Sequence, residues 1–254
     1  MTTPGRLLSI ILPVYNEAKS LKVMVQILEA AVEMEHEVLI VYDSPEDRSV
    51  GTAEWLKKKY PNVRPVLNDT GRGVGNAIHK GITAAAGDIV LVTLVDEVFP
   101  IAAIDDMAEL IKSGCDMVSC TRYALGGKRY GGSFIGGLLS RNANLAFRLA
   151  TGSVLTDATT GIKMFRKSIF EKITIEAKIG WAFAFEVSIK AQILGLRIGE
   201  VPVVSVDRLF GGDSTFKLGS WVKEYLKWFF WGVKELNRID TRQSKVVTIE
   251  DIRG

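Results

Sequence analysis

Cysteine and histidine are nearly absent from this chain, with two of each among 254 residues. Cys115 and Cys120 flank one apolar segment. They form neither a disulfide framework nor a zinc-ligand spacing, and a pair of reduced, buried thiols is expected. His79 falls beside Lys80 on a helical pattern and reads as a surface residue. No uninterrupted apolar run approaches the roughly 18 residues that a spanning helix requires. The run LLSIIL (7–12) is short, lacks a small-residue cleavage site and meets Pro13 at once, so it reads as a strand rather than a signal peptide. The expectation is a cytoplasmic chain, soluble or lying on a membrane. A strong excess of charge is missing too. A net +3, from 32 Lys+Arg against 29 Asp+Glu, gives no reason to expect nucleic acid as a partner.

What is present is an ordinary globular balance, 47% hydrophobic and 24% charged, which allows a sizeable core. Periodicity predicts strands at 7–14, 38–43, 64–68, 89–95 and 116–121, with helices at 18–34, 50–59, 74–86 and 101–113 between them. Such alternation predicts an α/β fold, a mostly parallel sheet with helices on both faces. After residue 121 the pattern changes. A Gly-rich basic loop (123–132) precedes a helix at about 134–150, strand-like 161–166, a helix at 182–195, a strand at 201–206 and a long helix near 216–236. With no repeat and no low-complexity linker, one domain is expected over 1–254. Its parts would be a first half (1–121), a second half (122–215) and a C-terminal helix (216–238).

Strand ends carry the candidate chemistry. LPVYNE (12–17) offers Pro13, which should break the ladder, Tyr15, which can cover a planar ring, and Glu17; the plain alternative is a turn with Asn16 or Ser20 capping the next helix. VYDSPED (41–47) puts Asp43 at the next strand end, either as an acceptor for a base edge or as an Asx-turn residue. NDTGRGVGNAIHKG (68–81) is a glycine-rich turn into a helix, with Arg72 placed to meet a phosphate, although it matches neither a P-loop nor a clean GxGxxG. VTLVDEVFP (92–100) ends in Asp96-Glu97. In open α/β sheets ligands bind at this carboxyl edge, so the convergence is more specific than any one member.

In the second half, DATTG (157–161) sets Asp157 beside two hydroxyls, and DRLFGGDSTFK (207–217) carries Arg208, Ser214 and Lys217 on a loop with two glycines. Arg122, Lys128, Arg129 and Arg141 form a basic cluster that would otherwise be a solvated face. The last helix holds Trp221, Tyr225, Trp228, Phe229, Phe230 and Trp231 with Lys223, Lys227, Lys234 and Arg238. That profile suggests a helix in a bilayer interface, aromatic side down, against core packing or a dimer seam as alternatives.

Together the motifs resemble glycosyltransferase family 2, and within it the dolichyl- and polyprenyl-phosphate sugar transferases. They are LPVYNE, VYDSPED, GRGVGNA (71–77), AAGDIVLVTLVD (85–96), LLSRNAN (138–144), DATTGIKMFR (157–166) and VDRLFGGDSTFK (206–217). The resemblance implies a GT-A fold and inverting transfer from a nucleotide-sugar, GDP-mannose or a UDP-sugar, to a lipid phosphate. Pro13, Tyr15, Glu17 and Asp43 would hold base and ribose, with Arg72 near the diphosphate. Arg122, Ser140, Arg141 and Ser214 would meet the acceptor phosphate. Arg208, Ser214 and Lys217 would close over both sets of phosphates. Asp96 would count among the catalytic residues, as would Asp157, expected to orient groups rather than take a proton. A divalent cation, Mg or Mn, would sit on Asp96 and Glu97; the usual Asp-x-Asp has become Leu94-Val95-Asp96, and Mg²⁺ tolerates one or two protein carboxylates. Gly136-Gly137 stand where the family often has basic residues. The implied partners are the donor, a lipid-phosphate acceptor, a membrane surface reached through 221–236, and a membrane-anchoring protein. Competing readings are transfer to a soluble hydroxyl, with Asp157 or Glu186 as base, and a non-catalytic nucleotide-sugar-binding subunit.

Overall fold

The computed structural model describes residues 7–124, 126–131, 134–207, 218–239 and 245–253. Arg208, Ser214 and Lys217 lie outside the described residues. The first half alternates as expected: β1 (Leu8–Val14), α1 (Ala18–Ala31), β2 (His36–Tyr42), α2 (Ser49–Lys59), β3 (Val63–Leu67), α3 (Val74–Ala84) and β4 (Ile89–Val92). A 3-10 turn (Phe99–Ala103) then leads to α4 (Ile104–Lys112) and β5 (Met117–Thr121). The second half adds β6 (Lys128–Gly131), α5 (Phe134–Thr151), β7 (Lys163–Arg166), α6 (Ala182–Ile193), β8 (Ile198–Pro202), β9 (Val204–Asp207), α7 (Leu218–Leu236) and α8 (Ile249–Arg253).

Among the described residues, seven strands form one sheet in the order β3-β2-β1-β4-β7-β5-β8. All pairings are parallel except those of β7, which runs antiparallel to both β4 and β5. The sheet is therefore mostly parallel and GT-A-like. The period-two alternation of strand side chains builds a core on each face. Leu8, Ile10 and Leu12 of β1 join α1, α2 and α4 on one side, while Ile11 joins α3, α5, α6 and α7 on the other. Buried on both faces, these strands read as continuous apolar runs. Successive strands step from β1 to β2 and β3 in one direction, whereas β4 lies on the other side of β1. That reversal opens a crevice at the carboxyl ends of β1 and β4.

Four expectations change. Pro13 does not break the ladder: β1 stays paired with β2 through Pro13–Val41 and Val14–Tyr42, and only its pairing with β4 ends early, at Ile11–Val92. β4 stops at Val92, so Asp96 sits in a turn beyond the strand. The strand expected at 201–206 is two strands in two sheets. Pro202 has no N–H to continue the ladder, and Val203 passes the chain on: its N–H donates to Thr121 O at 2.9 Å and its carbonyl accepts from Lys128 N at 3.0 Å. β9 consequently pairs with β6, inside the segment expected to be a loop.

Candidate active site

The carboxyl ends of β1 and β2 are tied together before any ligand arrives. Asn16 adopts φ 58°, a left-handed conformation that asparagine tolerates better than most residues. Buried Asp47 explains how it is held: its carboxylate accepts the Asn16 N–H at 3.1 Å and the Ser49 N–H at 2.7 Å. Asn16 Oδ1 in turn accepts from Arg48 N at 3.2 Å, and Ser49 Oγ accepts from Glu17 N at 2.8 Å. Neither Asn16 nor Ser20 caps α1. This clamp leaves the Tyr15 ring 64% exposed at the crevice, with Pro13 and Glu17 half-buried beside it.

Asp43 ties β2 to the glycine-rich turn. Its two oxygens accept from Asn68 Nδ2 and Gly73 N, both at 2.7 Å, and each oxygen keeps lone-pair capacity for a ligand. Gly71 (φ 114°) and Gly73 (φ 121°) take backbone conformations that a side chain would strain. Between them Arg72 is exposed at the same edge, close enough to Glu46 to help hold that carboxyl below its usual range, after the Ser44 hydroxyl and backbone contacts. The structure thus brings Tyr15, Glu17, Asp43 and Arg72 to one rim. A cavity of about 590 Å³ lined by His79, Arg166 and Glu171 lies at the opposite edge, where β4 begins, away from these groups.

Asp96 and Glu97 occupy the turn after β4, half-buried. Leu94 packs against the core instead of facing a ligand. Glu97 Oε2 accepts from the buried Ser205 hydroxyl of β9 at 3.0 Å, so it is shared between this turn and the second half. Among the described residues no three His, Cys, Asp or Glu side chains gather as a metal cage. The donor chemistry still fits a hard cation, for Mg²⁺ is commonly bound by one or two carboxylates plus substrate phosphates and water.

The second half is built around a buried charge. Asp157 has no exposed surface and receives Arg122 in a two-pronged pair, Nε to Oδ2 at 2.6 Å and Nη2 to Oδ1 at 2.9 Å, with the Arg122 N–H at 3.2 Å. Burial pushes the Asp157 carboxyl up, but the Arg122 charge and hydrogen bonds, with Lys163, outweigh it and hold the group below its ordinary value. Arg122 keeps 13% of its side chain exposed, and its Nη1 makes no hydrogen bond among the described residues. Around it stand Ser140, which accepts from Tyr123 OH at 2.9 Å, and Thr159, 3.4 Å from both Arg122 Nη2 and Ser140 Oγ. Arg141, also on α5, is exposed and stands outside this cluster. The Arg129 guanidinium lies against Gly137, where any Cβ would come within 3.2 Å of it.

Several residues here were not singled out from the sequence. Asn144 locks α5 to the Asp157 turn, donating to Ser140 O (2.9 Å) and Thr159 Oγ1 (2.8 Å) and accepting from Ala158 N (2.9 Å). Lys163 and Glu200 are fully buried, and their signal was a lone charge inside the apolar strands GIKMF and IGEVP. Cys115 and Cys120 are free and buried, and burial pushes both thiols up.

The aromatic side of α7 faces inward, which corrects the interfacial orientation. Trp228 is 3% exposed, and Tyr225, Phe229 and Trp231 pack against the core, Phe229 meeting Phe147 at 5.4 Å. The reason is the apolar surface of α5 and α6 directly beneath them. A different stripe is exposed: Val222, Leu226 and Phe230, four residues apart, next to Lys223 and Lys227. Leu138, Leu145 and Leu149 of α5 are exposed as well. Among the described residues no helix is long and apolar enough to cross a membrane.

The glycosyl transferase family 2 profile matches residues 9–174, well over half of the chain. The chain belongs to glycosyltransferase family 2. This family 2 glycosyltransferase is 29% identical over 235 residues to a dolichol-phosphate mannosyltransferase of Pyrococcus furiosus, covering 91% of this chain and 65% of that one. It is 27% identical over 215 residues to glycosyltransferase AglD of Haloferax volcanii, covering 80% of this chain and 33% of that one. The chain thus spans between one third and just under two thirds of these relatives. In fold it is similar to glucosyl-3-phosphoglycerate synthase of Mycobacterium tuberculosis, with a TM-score of 0.69 at 18% identity over 91% of this chain and 81% of the other. That enzyme was solved with Mn²⁺, UDP and glucosyl-3-phosphoglycerate, and also with Mg²⁺ and UDP.

Proposed function

We propose that this enzyme transfers a sugar, with inversion, from a nucleoside-diphosphate sugar to the phosphate of a polyprenyl or dolichyl phosphate. The observation that carries the proposal is the commitment of Asp157 to Arg122. A hydroxyl acceptor needs a base near the anomeric carbon. Asp157 is occupied by Arg122, and Glu186 is fully buried, accepting from Glu176 N and Ala177 N at 2.8 Å and from Lys190 Nζ at 2.6 Å. A phosphate oxygen is already anionic at neutral pH and needs neither.

In the step proposed, that oxygen forms a bond to the anomeric carbon. The bond from this carbon to the diphosphate breaks, and the nucleoside diphosphate leaves with the electron pair. Tyr15, Glu17 and Asp43 hold the nucleoside, and Arg72 faces the diphosphate. Arg122 presents Nη1 to the acceptor phosphate beside Ser140 and Thr159. By the resemblance to the family, Arg208, Ser214 and Lys217 would add further contacts to the phosphates. Alignment and charge neutralisation supply the rate enhancement. Asp96, with Glu97 beside it, would hold a divalent cation, Mg or Mn, whose charge would further neutralise the leaving diphosphate. The similarity to the Pyrococcus mannosyltransferase supports the lipid-phosphate acceptor. The exposed stripes of α5 and α7, with Lys223, Lys227 and Lys234, would rest on the cytoplasmic face of a membrane where such a lipid is presented.

The test is a thermal-shift panel of GDP- and UDP-sugars with and without Mn²⁺, because a ligand stabilises according to its affinity. Transfer of label from the stabilising donor to a short polyprenyl phosphate or to 3-phosphoglycerate follows. The proposal expects stabilisation by one base class and a lipid-soluble product. Label on 3-phosphoglycerate with none on the lipid would overturn it.

A further inference from the structure

Lys163, Ser119 and Glu200 occupy one register row across three neighbouring strands. Ser119 of β5 is the partner of Lys163 in β7 and of Glu200 in β8. All three are fully buried. Lys163 Nζ donates to Ser119 Oγ at 2.7 Å, and Ser119 Oγ also lies 3.4 Å from the Asp157 carbonyl. Glu200 takes the other side of the same turn. Its Oε1 accepts from Thr156 N at 2.9 Å and Asp157 N at 3.1 Å, and its Oε2 accepts from the Thr156 hydroxyl at 2.8 Å. Thr156 Oγ1 is also 2.7 Å from Thr121 Oγ1, one residue before Arg122.

Two carboxylates buried this close need a reason. We propose that Glu200 is a positioning residue for Arg122: it fixes the Thr156–Asp157 turn so that the Asp157 carboxylate meets the guanidinium edge-on and leaves Nη1 facing the acceptor phosphate. Three hydrogen bonds fix the turn from below, and the Thr156–Thr121 contact fixes the strand end that carries Arg122. Lys163 supplies the compensating charge, so the row and the ion pair together hold two cations and two anions out of water. The groups facing Glu200 and Lys163 are Asp157, Arg122 and the Cys120 thiol. Burial drives Glu200 up to about 7 and Lys163 down to about 8. Ionised Glu200 is the better acceptor for two N–H groups, so the row adds a pH dependence to the presentation of Arg122.

The test reads Arg122 directly. In protein carrying ¹⁵N-arginine, the Arg122 Nε–H resonance, assigned with Arg122→Lys, reports the pairing with Asp157 in the absence of any substrate. Glu200→Ala is expected to speed its exchange with water about tenfold, the effect of losing roughly one net hydrogen bond. Glu200→Gln keeps a carbonyl oxygen for the two N–H groups and is expected to restore most of the protection. It is also expected to reduce the acidic limb near pH 7 in the profile of kcat/KM to the part set by the acceptor phosphate's own ionisation at about 6. If Glu200→Ala does not fold, Thr156→Val removes the hydroxyl contact and is expected to act in the same direction. An Arg122 resonance unchanged in both Glu200→Ala and Thr156→Val overturns the inference. The kinetic arm rests on the acceptor reading above: KM for a polyprenyl phosphate should rise about tenfold in Glu200→Ala with donor KM little changed. A lost resonance with acceptor KM unchanged would leave the positioning standing and contradict the acceptor reading instead.

Discussion

The two halves of the carboxyl edge solve the placement of charge in opposite ways. On the side proposed to bind the donor, Asp43, Arg72 and Tyr15 stand at strand ends and in turns, half-buried or exposed, and Asp43 accepts from Asn68 Nδ2 and the Gly73 N–H. On the side proposed to bind the acceptor, Arg122, Asp157, Lys163 and Glu200 form a cluster across β5, β7, β8 and the 156–157 turn, with little or no exposed surface. The donor side can change a residue at modest cost. The acceptor side cannot, because removing one member strands the others in a medium of low dielectric.

The largest predicted effect follows from that contrast. Asp157→Ala leaves two buried cations with one buried anion and should lower the unfolding free energy in urea by about 3–5 kcal/mol. Asp47→Ala on the donor side should cost about 1–3 kcal/mol, since it orphans backbone N–H groups near solvent. A larger loss for Asp47→Ala would break the comparison. Next comes Asp96→Asn, which should reduce transfer about 100-fold at saturating donor while leaving stability nearly unchanged. Retained transfer with the same Mn²⁺ dependence would remove Asp96 from the metal role.

The pH dependence of stability should also belong to the acceptor side. Glu200 ionises near 4.5 when unfolded and at about 7 when folded, so the native state holds the extra proton and stability falls as pH rises between those values. Lys163 acts in the reverse sense: the folded group loses its proton at about 8 and the unfolded one at 10.5, so stability rises across that interval. Urea titrations of the parent and of Glu200→Gln should show the fall between pH 4.5 and 7 only in the parent. The smallest effect concerns the surface. Phe230→Ser should change stability by less than about 0.5 kcal/mol while weakening sedimentation with anionic vesicles. Vesicle binding unchanged in Phe230→Ser and in Leu226→Ser would remove α7 from the membrane reading.

The same contrast explains what was legible in the sequence. β1 to β5 alternate with helices in a period that local pattern reveals, and the strand ends that gather at the rim follow from parallel topology alone. The turn around Asp157 was visible as a motif, but its partnership with Arg122 spans 35 residues of sequence. Glu200 and Thr156 are 44 residues apart, and no local period announces that contact. Lys163 and Glu200 had a weak signal as single charges in apolar strands, which is how a buried charge always looks before its partner is known. The α7 aromatics misled for a related reason. Periodicity shows that a helix has an apolar face, whereas the identity of what covers that face, here α5 and α6, is a tertiary fact.

The central claim is that neither Asp157 nor Glu186 acts as a base, so the acceptor arrives already anionic. The most direct measurement offers the stabilising donor to a polyprenyl phosphate and to the corresponding polyprenol, at equal concentration in the same detergent. Transfer to the phosphate with none to the alcohol is the predicted result. Comparable transfer to both would contradict the account, because it would require a base that neither Asp157 nor Glu186, as placed here, can supply.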